Sequence, residues 1–98
     1  MDYKKDGYKI VRCENAGVFA AYVESRDGGE AVLREARRLW YWDGAASLSQ
    51  LAMEGVSKPE NCKFPIAVDK IVVLEVVEIL DVTPQAKASI DGVPVWKA

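Results

Sequence analysis

The Arg26-Asp27-Gly28-Gly29 turn constrains the fold of this chain more than any other short segment. It separates two runs that are rich in strand-forming residues, 18–25 and 30–42. Glycine supplies the positive φ that tight hairpin turns require, so the sequence predicts an antiparallel hairpin here. A further alternating run at 8–13, followed by a short turn at 14–17, extends this hairpin to three strands.

Arginine and tryptophan side chains follow one another closely in the third predicted strand, 30–42. If this segment is extended, its side chains alternate between the two faces of the sheet. One face then holds Arg38, Trp40 and Trp42, and the other holds Arg37, Leu39 and Tyr41. A guanidinium beside indole rings suits a stacked nucleobase and a paired phosphate. The alternative is that the two indoles fill the core and that Arg38 covers their rim.

A short helix and a proline-containing loop follow this strand. Ser47 and Gln50 form a capping box, in which the serine hydroxyl accepts from a free amide and Gln50 bonds to the N–H of the cap residue. Gly55 is expected to end the helix. The loop at 56–65 is either an ordinary connection or a lid that brings Lys63 close to a bound anion.

Residues 66–82 form the longest strand-like region, and both of its sides are apolar. This pattern predicts a strand that is covered on both faces, either near the centre of the sheet or across a subunit interface. The alternation slips at Val76-Val77, where a bulge or bend would keep both halves buried. Thr83 is expected to cap a second short helix that runs to about residue 90.

These elements together predict a single domain over residues 1–98 of the α+β class. It consists of a mostly antiparallel β-sheet with two short helices, preceded by a frayed segment at 1–7. Pro94 makes the extended tail at 93–96 an edge strand or a docked arm. The long apolar strand and Trp96 also favour a homo-oligomer, with a dimer as the simplest form.

Composition excludes several classes of function. The chain contains no histidine, which removes Ser-His-Asp and Cys-His catalysis and makes a structural zinc site an unsuitable interpretation. Its 13 basic and 15 acidic residues give a net charge of −2, which disfavours a general nucleic-acid-binding face. No glycine fingerprint for phosphate is present. We therefore expect no enzymatic activity, no metal and no cofactor.

Cysteine usage and hydropathy bear on the compartment. Cys13 and Cys62 are expected to be free thiols in a reducing cytosol, with a disulfide as the alternative. The N-terminus lacks the apolar segment of a signal peptide, and no apolar run is long enough to span a bilayer. These features predict a cytoplasmic protein without a membrane partner.

The run AGVFAAYVESRDGGEAVLREARRLWYWDGAASLSQLAMEGVSKPENCKFP resembles a family of small proteins that phages and prophages encode. The segments KIVVLEVVEILDVT and SIDGVPVW continue the resemblance, which covers about residues 8–96. Its most specific part is ARRLWYWDGA followed by KPENCKFP. The resemblance implies a phage origin and the host cytoplasm, and it transfers no catalytic residues because the function of the family is unassigned.

Two hypotheses about function follow. The first is a non-enzymatic binding protein, an anti-defence sponge that sequesters a small anionic nucleotide such as a cyclic or ADP-ribose-derived signal. Its candidate ligand-binding residues are Arg37, Arg38, Trp40, Tyr41, Trp42 and Lys63. The second is a protein–protein interaction module that inhibits a host factor or forms a minor virion component.

Overall fold

A curled antiparallel sheet is the main feature of the computed structural model, which describes residues 2–98. Within that range the sheet has five strands in the spatial order β4-β3-β2-β1-β5. The strands are β1 (Tyr8–Cys13), β2 (Val18–Asp27), β3 (Glu30–Arg38), β4 (Val68–Val73) and β5 (Val76–Asp81). With the two helices described below, this architecture confirms the α+β prediction.

Strands β4 and β5 are consecutive in the chain, yet they lie at opposite edges of the sheet. β4 pairs with β3, whereas β5 pairs with β1. At the bend between them, the N–H of Val76 donates to the carbonyl of Gly29 in the β2–β3 turn at 2.9 Å. The N–H of Glu14 donates to the carbonyl of Glu75 at the same distance. The bend therefore joins two distant corners of the sheet, and the sheet curls into an incomplete barrel.

The prediction that residues 66–82 form one strand near the centre of the sheet is wrong. The segment forms two edge strands. β4 packs only its Ile71 and Val73 side against the second core. β5 contacts both cores, with Leu80 against the first and Ile79 against the second. The predicted bulge at Val76-Val77 is confirmed, because the β1–β5 register shifts at this point, opposite Arg12 and Cys13. The alternative of a subunit interface stays a prediction.

Both faces of the sheet are buried, and each has its own core. The first core lies between the sheet and the helices. Its buried members include Ile10, Ala20, Leu51, Phe64 and Ile90. The second core lies on the face that the curled sheet itself encloses, and it includes Val11, Phe19, Ala21, Leu33 and Val73.

The two cysteines belong to different cores. Cys62 lies in the first core and Cys13 in the second, so the sheet separates the two side chains. Both are buried free thiols, which confirms that interpretation over the disulfide. Burial raises the pKa of both thiols above its ordinary value, which keeps them in the neutral form.

Two helices cover the first core. They are α1 (Leu48–Glu54) and α2 (Pro84–Asp91). The hydroxyl of Ser47 accepts from the N–H of Gln50 at 3.1 Å, as predicted. The side-chain oxygen of Gln50 instead accepts from the N–H of Ala46 at 2.7 Å, so the prediction that it bonds to the N–H of Ser47 is wrong. Thr83 caps α2 by accepting from the N–H of Ala86 at 3.0 Å, which confirms the second predicted cap.

A bulge in β3 decides which face each of its last side chains takes. Between the paired residues Arg34 and Arg37, β3 has two residues where β2 has one. The first of them, Glu35, has a φ of 51°, in the left-handed region. Because side chains alternate along a strand, the extra residue places Ala36 and Arg38 on the face of the second core. Arg37 consequently points to the face of the first core.

The N-terminal segment contacts this bulge. The O–H of Tyr3 donates to the carboxylate of Glu35 at 2.7 Å, and the ring of Tyr3 packs against the first core. Lys4 approaches the same carboxylate at 3.4 Å. Met1, the first residue of the segment 1–7 that was expected to fray, lies outside the described residues.

Candidate functional site

The chain leaves the sheet sooner than its sequence indicates. β3 ends at Arg38, so the strand prediction is wrong for residues 39–42. Beyond this point the chain pairs with the returning loop through a single antiparallel bridge between Tyr41 and Lys63. The N–H of Lys63 donates to the carbonyl of Tyr41 at 2.7 Å, and the N–H of Trp40 donates to the carbonyl of Lys63 at 3.1 Å. Because Trp40 and Tyr41 bond to Lys63 instead of to β2, the aromatic residues lie outside the sheet.

The aromatic residues after β3 differ in burial. Trp40 is 65% exposed and Tyr41 is about half exposed, whereas Trp42 packs against the first core. Arg38 stacks on Phe19 in the second core. The prediction that Arg38, Trp40 and Trp42 share one face is therefore wrong, because the strand ends before its alternation reaches Trp42. The interpretation of the tryptophans as core residues holds in part for Trp42 and fails for Trp40.

Arg37 is a buried structural residue. Its side chain is 7% exposed, and its guanidinium donates to the carbonyls of four residues: Ile90 at 2.8 Å, Val93 at 2.7 Å, Phe64 at 3.1 Å and Pro65 at 3.1 Å. Burial lowers the pKa of this guanidinium from its ordinary value, although the group remains protonated. Arg37 thus connects the end of α2 and the tail to the loop, and its guanidinium serves the fold rather than a ligand.

Lys63 lies between two half-exposed aromatic rings. Its Nζ is 5.6 Å from the centroid of the Trp96 ring and 5.9 Å from that of Tyr41. Both rings are about half exposed, and none of the ion pairs within residues 2–98 includes Lys63. We call Tyr41, Lys63 and Trp96 the aromatic–lysine surface. It offers one cation to an anion and two ring faces to a planar group.

The tail brings Trp96 into this surface. Val95 forms a parallel bridge with Phe64, and the N–H of Trp96 donates to the carbonyl of Phe64 at 3.0 Å. The predicted docked arm is therefore confirmed. A cavity of about 470 Å³ lies beside it, lined by Pro65, Trp96, Lys97 and Ala98. Sequence reasoning missed Trp96 as a site residue, since its approach to Lys63 depends on how the tail docks.

Arg38 stands alone on the opposite face of the sheet. Its Cζ is 4.7 Å from the centroid of the Phe19 ring, and its side chain lines an apolar cavity of about 330 Å³. The structure thus separates the six predicted site residues. It brings Tyr41 and Lys63 together, leaves Trp40 exposed, and places Arg37, Arg38 and Trp42 elsewhere.

Comparison with known proteins gives one match. A family model described as "Domain of unknown function (DUF6948)" matches residues 7–90, a range that contains Tyr41 and Lys63 but not Trp96. No curated protein and no solved structure matches the chain. Among residues 2–98, no helix has the length and apolar character needed to cross a membrane.

Proposed function

The chain belongs to the DUF6948 family of unknown function, and we propose that it is a non-enzymatic protein that binds a small anionic nucleotide at the aromatic–lysine surface. The position of Lys63 between the rings of Tyr41 and Trp96 carries this proposal. A phosphate group pairs with the ammonium of Lys63, while the base stacks on an exposed ring.

The biological role in this proposal is sequestration of a nucleotide signal in the cytoplasm of a phage-infected host. The resemblance of the ARRLWYWDGA and KPENCKFP segments to small phage and prophage proteins supports it. Binding alone is sufficient for such a role, because a tightly held signal no longer reaches its receptor. In this proposal the ligand is of the cyclic-nucleotide or ADP-ribose class, which supplies both a phosphate and a base.

Isothermal titration calorimetry with ADP-ribose, a cyclic dinucleotide and ATP tests this proposal. We expect at least one of them to bind, and Lys63→Met to weaken its affinity about tenfold or more through the loss of a charge-assisted hydrogen bond. Trp96→Ala should weaken it by a similar factor through the loss of stacking. Lys58→Met, which changes an exposed lysine of the same loop, is the matched control.

Two results would contradict the nucleotide proposal. The first is the absence of binding heat with all three nucleotides at millimolar concentration. The second is an equal loss of affinity in Lys58→Met and Lys63→Met, which would show a diffuse effect of charge rather than a site.

A protein–protein interaction module is the second candidate, and exposed apolar side chains favour it. Ile66, Leu74 and Trp40 are 70%, 66% and 65% exposed. Large exposed apolar residues mark interaction surfaces when they cluster, and tryptophan is a frequent anchor residue at interfaces. In this alternative the chain forms a homo-oligomer, inhibits a host protein or joins the virion.

Sedimentation velocity over a range of concentrations tests the homo-oligomer. A dimer that dissociates in Leu74→Ser or Ile66→Ser, with the native fold retained, would support the second candidate. A monomer at every concentration would remove the homo-oligomer, and immunodetection in purified virions would then decide whether the chain is a virion component.

A further inference from the structure

A cavity lies where the second core reaches the surface, on the face of the sheet that carries no helix. Its volume is about 330 Å³, within the range of small-molecule sites. Apart from Arg38, its lining side chains are all apolar: Phe19, Ala36, Pro65, Ile66, Val68 and Ile71. Ile66 and Val68, which are 70% and 43% exposed, form its mouth.

Arg38 is the one polar side chain in this lining, and it lacks a protein partner. Its Nε is the one buried side-chain nitrogen or oxygen without a hydrogen bond among the residues that the structure describes. None of the ion pairs within residues 2–98 includes it, although Arg12 and Arg34 each pair with a glutamate. A buried donor without a partner is unfavourable by about 1–3 kcal/mol. The Arg38 side chain as a whole is only partly buried, and it carries a charge that no carboxylate of residues 2–98 neutralises.

We infer that this cavity binds a small apolar monocarboxylate, whose carboxylate pairs with the Arg38 guanidinium and whose hydrocarbon body contacts the apolar lining. The planar fork of a guanidinium matches the two oxygens of a carboxylate. The six apolar side chains account for the body of the ligand, since they offer contact area and no hydrogen bonds.

The same lining disfavours a nucleotide here. The hydroxyls of a ribose would be buried without partners, and each buried polar group without a hydrogen bond reduces affinity. A second charge on the ligand would find no second cation among the lining residues. The cavity is therefore distinct in chemistry from the aromatic–lysine surface, on the other side of Pro65.

Titration of the full chain with octanoate tests this inference, and octan-1-ol is the neutral probe of equal chain length. We expect octanoate to bind at least about tenfold more tightly than octan-1-ol, because only the carboxylate forms a charge-assisted pair. Hexanoate should bind about tenfold more weakly than octanoate, since two methylene groups leave the apolar lining. In amide and methyl NMR spectra, octanoate should shift the signals of Ala36, Val68 and Ile71.

Two arginine variants locate the carboxylate. Arg38→Met should weaken octanoate binding about tenfold or more, whereas Arg38→Lys should retain part of it. Arg26→Met changes an exposed arginine near the end of β2 and should have no effect. Circular dichroism melting curves confirm that each variant is folded. If Arg38→Met does not fold, the comparison of octanoate with octan-1-ol on the native chain decides.

Three outcomes would overturn the inference: no binding of octanoate, equal binding of octanoate and octan-1-ol, or unchanged affinity in folded Arg38→Met. Lys63→Met separates this result from the nucleotide proposal, because it should leave octanoate binding unchanged. Either proposal can thus be contradicted while the other is retained.

Discussion

Arg37 and Arg38 are adjacent in the chain, yet they lie on opposite faces of the sheet and have different roles. Arg37 lies against the first core and donates to four carbonyls. Arg38 lies against the second core with its Nε buried and unbonded. The residue type is the same, so the difference arises from what covers each face. A layer of loop, helix and tail covers one side, whereas the curled sheet and the loop residues Pro65 and Ile66 lie on the other.

This comparison shows that an arginine next to aromatic residues is not by itself evidence for a ligand site. The carbonyls around Arg37 belong to chain ends, such as the last turn of α2, where regular pairing stops. Those of Phe64 and Ile90 also accept one backbone N–H each, from Trp96 and Val93. The first face therefore supplies its own acceptors. The second face supplies none to Arg38, and this makes Arg38 the arginine that is available to a ligand.

The largest expected effect is that of Arg37→Met. The substitution leaves the carbonyls of Ile90, Val93 and Phe64 buried without the donor that they share, so we expect a loss of about 3 kcal/mol or more in the free energy of unfolding. Urea denaturation followed by tryptophan fluorescence measures it. A loss below about 1 kcal/mol would show that these contacts contribute little and would weaken the contrast with Arg38.

Substitutions at two glycines compare the two faces of the sheet. Gly44 lies in the layer over the first face, and Gly29 lies at the corner where the β2–β3 turn meets the bend between β4 and β5. Gly44 has a φ of 91°, and a Cβ there would lie 2.5 Å from the backbone nitrogen of Ser57. We expect Gly44→Ala to lower stability by about 2 kcal/mol. Gly29→Ala places its Cβ 3.2 Å from the carbonyl oxygen of Leu74 and should cause a smaller loss. Equal losses in thermal or urea denaturation would argue against this difference.

Arg38→Met should change stability by about 1 kcal/mol or less in the absence of ligand. The guanidinium has no protein partner to lose, and methionine removes a partly buried charge while it still covers Phe19. Urea denaturation in parallel with Arg37→Met provides the direct comparison. A loss as large as that of Arg37→Met would mean that Arg38 is a structural residue as well.

The smallest expected effect concerns Glu35, whose position determines the faces of the two arginines. The hydrogen bond from Tyr3 lowers the pKa of this carboxylate below its ordinary value of 4.5. Desolvation opposes this effect, and the charge of Lys4 adds a smaller lowering effect. The contribution to stability is then complete above the unfolded-state pKa and is lost as pH falls through the folded-state pKa. Native chain and Glu35→Gln should therefore differ at pH 7 and converge as the pH is lowered from 7 to below the folded-state pKa. A constant difference in urea denaturation across this range would contradict the role of the charge.

Much of the fold was predictable because its signals are local. The three-strand meander follows from alternation and from the Asp27-Gly28 turn, and both helices begin at the expected caps, Ser47 and Thr83. The separation of β4 from β5 was not predictable, since it depends on pairing with β3 and β1 far away in the sequence. The local hydrophobic pattern indicated the break in alternation at Val76-Val77, but it did not indicate that the sheet curls into an incomplete barrel.

The site was less predictable than the fold. Tyr41 and Lys63 were identified from residue type, but the docking of Trp96 depends on the tail. Nothing in the sequence distinguishes Arg37 from Arg38, and a glutamate is an unusual residue for a left-handed bulge position, so no glycine indicates the bulge. Each of these failures concerns a contact that requires the assembled sheet.

The bulge at Glu35 also affects how this chain is compared with its relatives. One additional residue puts every later side chain of β3 out of phase with the earlier ones. A relative that lacks the additional residue would keep both arginines on their present faces, because regular pairing would then continue from Arg34 to Arg37. A relative with the same number of residues but without the bulge would exchange the roles of the two arginines: the first would enter the apolar cavity and the second would meet the carbonyls. The same alignment column would then contain a structural guanidinium in one protein and a ligand-binding one in the other, so the presence of the bulge must be checked before any residue role is transferred across the family.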